Sequence, residues 1–220
     1  IIVRNGGQAG TITNKGTIIS TNKTGINVSS GHTTIINNEG VIKGGGHGIA
    51  ISSGDTIETL VNSGTIQATK TGSEAIFNTY ESAGIYLGSN TSINNLINKG
   101  SISGIIGISL FGSTIENIIN KGTIESTGTL DVKAGIFLGN LSNSNFAAID
   151  NLKNEGIIKS TSNGILVEIG SEVKTIENTG TIEAGLDGIS FYTYDASDKA
   201  VNVGDIILKS GSTVKAGRNG

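Results

Sequence analysis

Residues 93–110 read INNLINKGSISGIIGISL and contain each of the short patterns that recur along the chain. The aliphatic pair Ile93 and Leu96 precedes an Asn-Lys-Gly triplet at 98–100. A short Ser-Ile-Ser segment follows, and Gly-Ile-Ser-Leu closes the stretch at 107–110. Alternation of aliphatic and small polar residues is the pattern of strands with one buried face, and Asn and Gly favour turns. The stretch therefore predicts three short strands separated by turns.

The Asn-x-Gly-x-Ile pattern of this stretch recurs along the whole chain. Its glycines stand at positions 16, 40, 64, 100, 122, 156, 180 and 204, so the intervals are 22 to 24 residues except for two of 36 and 34. Regular intervals of this length are typical of a structural repeat. The two longer intervals predict insertions into a coil of otherwise constant length. The eight repeat asparagines are Asn14, Asn38, Asn62, Asn98, Asn120, Asn154, Asn178 and Asn202.

A second pattern, Gly-Ile-x-aliphatic, follows the first by seven to nine residues in the coils without insertions. Its two aliphatic residues flank one variable residue, which predicts a strand with two inward side chains and an outward one between them. Helix is not expected, because Gly and β-branched residues interrupt every stretch long enough to form one. The glycines of this pattern are Gly25, Gly48, Gly84, Gly107, Gly135, Gly164 and Gly188.

Three strands in each coil of 22 to 24 residues predict an all-β fold, a right-handed, single-stranded parallel β-helix of about eight coils. The right hand is the usual hand of connections between parallel strands. Stacked coils bury a continuous aliphatic column that one coil could not bury alone. The repeat asparagines should stack into a ladder of bridging amides, and the glycine two residues later should supply a positive φ or a close backbone approach. We expect residues 1–220 to form one β-helix segment.

Composition and charge exclude several classes of protein. The chain has 220 residues and a formal net charge of −3, which leaves no electrostatic footprint for nucleic acid. No apolar run approaches the ~20 residues of a membrane helix. Without cysteine there is no disulfide framework and no thiolate metal site. Because the chain also lacks methionine, we expect it to be a processed product or a fragment of a longer chain.

Recurrent Asn-x-Gly-Thr-Ile and Gly-Ile-x-aliphatic coils, rich in Asn, Ser, Thr and Gly and lacking Cys, resemble the passenger domains of bacterial autotransporters. The resemblance covers about residues 11–207 and is closest to the vacuolating-cytotoxin-like and adhesin-type passengers. It implies export through the outer membrane by a C-terminal barrel in the full-length chain. It also implies display at the bacterial cell surface or secretion, and a role in adhesion or virulence.

The residues show no pattern for catalysis or metal binding. An enzyme acting on polysaccharide would need carboxylates clustered with Arg or Lys on one outward face. The carboxylates are instead spread mostly one or two per coil, and Arg4 and Arg218 are near the two ends. His32 and His47 lie in Gly-rich turns without metal-ligand spacing. We therefore predict no catalytic residue, no metal site and no cofactor.

Three insertions, at about residues 67–82, 125–134 and 139–147, flank strands of the Gly-Ile-x-aliphatic pattern and so border one face of the rod. Outward positions of those strands carry apolar residues, separated by the small Ser109. Exposed aromatic residues amid polar loops are typical of a contact patch. In the alternative, the loops fold over these side chains and only cover them. The candidate contact residues are Tyr86, Phe137, Leu166, Tyr192 and Tyr194, with Phe77 and Tyr80 in the first insertion.

Three functions are compatible with these observations. The first is a non-catalytic rod of an autotransporter passenger, acting as a stalk or binding face toward a host-cell surface protein or glycan. The second is a self-associating structural element of a surface filament or biofilm. The third is a β-helix enzyme that acts on polysaccharide. We favour the first, because no catalytic pattern is present and the irregularities of the repeat gather on one face.

Overall fold

The computed structural model describes residues 1–70, 82–128, 133–139, 145–193 and 199–220. These residues form β-strands and no helix, so the prediction of an all-β fold is confirmed. The strands are β1 (Ile2–Arg4), β2 (Thr11–Asn14), β3 (Thr17–Ser20), β4 (Ile26–Ser29), β5 (Ile35–Asn38), β6 (Val41–Gly44), β7 (Ile49–Ser52), β8 (Thr56–Asn62), β9 (Thr65–Ala68), β10 (Ala83–Leu87), β11 (Ser92–Asn98), β12 (Ser101–Gly104), β13 (Ile106–Phe111), β14 (Thr114–Asn120), β15 (Thr123–Ser126), β16 (Ala134–Gly139), β17 (Ala148–Asn154), β18 (Ile157–Ser160), β19 (Asn163–Glu168), β20 (Glu172–Asn178), β21 (Thr181–Ala184), β22 (Ile189–Tyr192), β23 (Asn202–Leu208) and β24 (Thr213–Ala216).

The strands assemble into three parallel sheets of eight strands each. Sheet 1 contains every third strand from β1 to β22, sheet 2 those from β2 to β23, and sheet 3 those from β3 to β24. Consecutive strands belong to different sheets, so the chain passes once through each sheet in every coil. Equivalent repeat positions pair, as Ile93 does with Ile115. The parallel β-helix predicted from the repeats is therefore confirmed, and its right-handed sense stays a prediction.

One aliphatic core runs between the three sheets through the whole stack. Sheet 1 contributes the two aliphatic residues of the Gly-Ile-x-aliphatic pattern, of which Ile108 is fully buried. In sheet 2 the seven-residue strand β14 buries Ile115 and Ile118, with two more exposed residues between them. Sheet 3 adds one inward residue per strand, such as Ile124. Burial of each such side chain is worth about 1.5–3 kcal/mol, which makes this core the main stabilising feature of the fold.

The repeat asparagines form a hydrogen-bonded column at the turn between sheets 2 and 3. Each Nδ2 donates to the Oδ1 of the next asparagine at 2.7 to 2.9 Å. Most also donate to a backbone carbonyl of the following coil, as Asn120 does to Ile157 at 3.0 Å. The members of this asparagine column are Asn14, Asn38, Asn62, Asn98, Asn120, Asn154 and Asn178.

The prediction that Asn202 continues the asparagine column is wrong. The register places Leu208 opposite Asn178, and Asn202 lies at the beginning of β23. In the five coils from Asn62 to Asn178 an aliphatic pair precedes the repeat asparagine, whereas here the pair Val203 and Ile206 comes after it. The register of β23 aligns this pair with Val173 and Ile176, so the last Asn-x-Gly-x-Ile match is a match of sequence alone.

The repeat glycine is required by a close approach between coils. A Cβ atom on Gly122 would overlap the carbonyl oxygen of Gly100 in the coil beside it. The described glycines with a positive φ lie at other turns, for example Gly112 and Gly170. Of the two reasons that the sequence suggested for this glycine, the structure therefore supports close approach.

The predicted insertions lie between strands that the structure describes. They follow β9, β15 and β16, and their central residues, 71–81, 129–132 and 140–144, lie outside the described residues. In the described part of the chain, no helix has the length and apolar character needed to cross a membrane.

Candidate functional site

Three candidate contact residues, Tyr86, Phe137 and Leu166, lie on the outer face of sheet 1, where four adjacent strands align them with Ser109. The register places Tyr86 opposite Ser109 and Ser109 opposite Phe137. Phe137 in turn lies opposite Leu166. All four are middle residues of the Gly-Ile-x-aliphatic pattern, and their sequence neighbours point into the inner core. The structure thus gathers these dispersed positions into one row across the sheet.

These side chains are buried, so the expectation that they are exposed is wrong. Tyr86, Phe137 and Leu166 are 7%, 6% and 4% exposed. The reason is a second hydrophobic cluster, which lies outside the β-helix and is separate from its inner core. Its members are Ala50, Ala83, Tyr86, Ile106, Phe111, Ala134, Phe137 and Leu166.

The aromatic rings of this face form a continuous row along the rod, which we call the ring row: His47, Tyr86, Phe111 and Phe137. The ring centroids of His47 and Tyr86 are 4.6 Å apart with an interplanar angle of 22°. Those of Tyr86 and Phe111 are 6.1 Å apart, and those of Phe111 and Phe137 are 5.2 Å apart. Aromatic pairs at such distances contribute about 0.5–1.5 kcal/mol beyond the area they bury. The ring row therefore ties neighbouring coils together from outside.

Two members of the ring row, Phe111 and His47, are not among the candidates that the sequence suggested. Phe111 lies two residues after Ser109 and so shares its outward face, which is a signal that strand alternation could have supplied. The stacking of His47 on Tyr86 has no such signal, because these residues lie far apart in the sequence and meet only when the coils stack.

Ser109 lies between Tyr86 and Phe137 in the register of sheet 1. Its side chain is 1% exposed, and its hydroxyl has no hydrogen-bond partner among the residues that the structure describes. Phe111 contacts Tyr86 on one side of this position and Phe137 on the other. A buried hydroxyl without a partner costs about 1–3 kcal/mol. Ser109 is small and so leaves room for the Phe111 ring. We attribute the serine at this position to its size and not to its polarity.

His47 ends the ring row and is neutral at pH 7. Its Nδ1 accepts a hydrogen bond from the backbone N–H of Ala83 at 3.1 Å, which requires an unprotonated nitrogen. Burial lowers the pKa of His47 to about 4. Protonation would remove the acceptor and place a charge beside the apolar cluster.

The remaining candidates have different positions. Tyr192 is 47% exposed on β22, and its neighbour Phe191 is 40% exposed. Tyr194, Phe77 and Tyr80 lie outside the described residues. Among the candidate contact residues that the structure describes, Tyr192 is therefore the accessible one.

The two histidines of the chain lie in different environments. His32 is exposed, and its Nε2 is 3.4 Å from Oγ1 of Thr34, whereas His47 belongs to the ring row. Within the described ranges, no three His, Asp or Glu side chains form a group that could hold a metal ion.

Comparison with known proteins adds no relationship to this geometry. The chain matches no family model, no curated protein and no solved structure.

Proposed function

We propose that this chain is a rigid rod of an autotransporter passenger, displayed at the bacterial surface or secreted, and that it acts without catalysis as a stalk and binding face in adhesion. The observation that carries the proposal is the unbroken stacking of the coils. The asparagine column joins every coil from Asn14 to Asn178, and the inner core runs through the same coils. A stack bonded through three sheets and a side-chain ladder resists bending, which is the property that a stalk needs. The resemblance of the repeats supports the bacterial surface as its location.

The accessible end of sheet 1 is the proposed binding face. Tyr192 is 47% exposed there, whereas its neighbour Phe191 points to the opposite side of β22, in register with the core residue Val167. Tyrosine is enriched among the residues that dominate binding energy at interfaces. A host-cell surface protein or glycan is the partner class that such an amphipathic aromatic surface suits.

Binding of protein-coated beads to cultured host cells tests this proposal. Beads that carry the chain should bind saturably, and Tyr192→Ser should weaken that binding. Ile157→Ser is the matched control, because Ile157 is an exposed apolar residue on sheet 3. Binding no greater than that of beads coated with an unrelated protein would contradict the proposal. Release of reducing ends from a panel of polysaccharides would replace it with the enzymatic function.

A further inference from the structure

The outer face of sheet 2 has an acidic side and a basic side. The side that borders sheet 1 carries a net negative charge, and the side that borders sheet 3 carries a net positive charge. The acidic side carries Glu58, Glu116, Asp150 and Glu172 together with Lys174, and the basic side carries Lys15, Lys99, Lys121, Lys153 and Lys209 together with Glu39, Glu155 and Glu177.

Some of these charges are paired within the chain, and an excess remains on each side. Lys174 neutralises Asp150 at 2.7 Å. Glu155 is shared by Lys121 at 3.3 Å and Lys153 at 3.0 Å, and Lys153 also lies 3.8 Å from Glu177. Within the part of the chain that the structure describes, Glu58, Glu116 and Lys99 form no ion pair. The face therefore keeps unpaired negative charge on one side and unpaired positive charge on the other.

The centre of the same face is uncharged in the middle coils. One column is aliphatic and half-buried, with Val61 opposite Ile97 and Ile97 opposite Ile119. The column beside it consists of asparagines whose amides bond to each other at 3.2 and 3.1 Å, so they need no further partner. The asparagines of this outer column are Asn95, Asn117 and Asn151.

We propose that two copies of this chain pack side by side, parallel to each other, through the outer faces of sheet 2. A two-fold axis parallel to the rod keeps each residue at its own height and turns the acidic side of one copy toward the basic side of the other. Glu116 and Lys121 belong to one coil, so Glu116 of each copy faces Lys121 of the other copy. An antiparallel arrangement would place acidic sides together, which like-charge repulsion disfavours.

The dimensions of the face agree with a stable interface. Six of the eight strands of sheet 2 have seven residues, which with the following turn residue span about 25 Å, and β2 and β5 have four. The eight strands stacked at ~4.8 Å span about 34 Å. The resulting area of about 800 Å² is what each partner buries in an interface of standard size. The pairing is a property of the rod itself and does not depend on whether the rod binds a host cell.

Charge reversal tests the pairing by sedimentation velocity over a concentration series. The parent chain should form dimers. Glu116→Lys and Lys121→Glu should each raise the dissociation constant about tenfold or more, because each sets like charges against each other twice per dimer. An equimolar mixture of the two variants should dimerise like the parent, because both contacts are then complementary. The double variant Glu116→Lys, Lys121→Glu should also dimerise.

Controls separate this result from misfolding and from other faces. Lys159→Glu on sheet 3 is the matched control, because Lys159 pairs with Glu125 at 3.1 Å as Lys121 pairs with Glu155, and it should leave dimerisation unchanged. A parent chain that stays monomeric, or a mixture that fails to recover association, overturns the proposal. Spin labels on a single cysteine at exposed Thr11 should lie close together. A separation near the length of the stack, about 34 Å, would show antiparallel packing and also overturn it.

Discussion

At the scale of the residue, a buried polar side chain stabilises this rod only where the stacked coils supply its partner. Asn120 is fully buried and its side chain takes part in three hydrogen bonds, two of them to other asparagines. Ser109 is buried to a similar extent, and within the described ranges its hydroxyl forms no hydrogen bond. Mutation of these two residues should therefore have opposite effects on stability.

Replacement of Asn120 by Ala should lower the free energy of unfolding by about 2 kcal/mol. The change removes three hydrogen bonds and leaves the amide of Asn98 with one partner fewer in a buried site. Asn117→Ala is the control, because Asn117 belongs to the outer column and water can replace its partners; it should cost less than about 1 kcal/mol. Denaturant titration measures both, and equal costs would contradict a special role for the asparagine column.

Replacement of Ser109 by Ala should leave the protein as stable as before or stabilise it by about 1 kcal/mol, because the hydroxyl without a partner is removed. Ser113 is a buried serine whose hydroxyl donates to the carbonyl of Leu87 at 3.3 Å, so Ser113→Ala should destabilise. The two melting temperatures should move in opposite directions. A lower melting temperature for Ser109→Ala would show that its hydroxyl stabilises the fold.

At the scale of the element, close stacking of neighbouring coils limits which residues their turns can contain. The turns between sheets 2 and 3 stack so closely that a side chain at the repeat glycine would meet a backbone carbonyl. Gly122→Ala should therefore cost about 1–3 kcal/mol, the usual cost of overpacking. Gly16→Ala is the control, because a Cβ on Gly16 meets nothing. Thermal melts should separate the two variants, and equal losses would mean that backbone conformation, not close approach, requires glycine here.

The ring row should make stability depend on pH. The pKa of His47 is about 4 in the folded chain and about 6.5 when unfolded, so between these values the unfolded chain binds the proton more tightly. Neutral His47 therefore contributes at most about 3 kcal/mol to the free energy of unfolding. This contribution is complete above pH 6.5 and is lost as the pH falls toward 4.

Melting temperatures of the parent and of His47→Phe between pH 7.5 and 4.5 check this dependence. The variant keeps an aromatic ring and cannot titrate, so its melting temperature should fall less on acidification. Carboxylates contribute equally to both proteins, which isolates the effect of His47. Parallel curves would show that His47 is not the group responsible.

At the scale of the whole molecule, the rod is a one-dimensional stack in which each coil is stabilised by its neighbours. The middle coils have a neighbour on both sides, and sheet 1 adds the ring row outside the core. In the last coil, Ile206 and Leu208 are 44% and 56% exposed. Stability should therefore decrease from the middle of this chain toward β22–β24.

Hydrogen exchange measured by mass spectrometry checks this gradient. Amides of β11, β14 and β17 should exchange most slowly, because both neighbouring strands bond to them. Amides of β22 to β24 should exchange sooner at the same pH and temperature. Equal protection of all the described strands would indicate a single cooperative unit instead of a stack with less stable outer coils.

The repeat pattern was sufficient to predict the coils, the three strands in each coil, the inward aliphatic residues and all seven members of the asparagine column, to which it wrongly added Asn202. These features follow from local periodicity, since alternation along a strand decides which side chains share a face, and a constant interval decides which residues stack. Gly122 and Asn120 occupy places that the repeat alone identifies.

The burial of outward side chains and the register of the last coil could not be predicted from the repeat, because both depend on contacts between coils. Tyr86 and Phe137 point outward as their pattern predicts, yet they are buried in a second cluster whose members come from five coils. Asn202 matches the repeat but lies outside the column, because the register of β23 aligns Val203 with Val173 and Ile206 with Ile176. The physical reason is the same in both cases: periodicity specifies the direction of a side chain, whereas burial and register depend on contacts between residues far apart in the sequence.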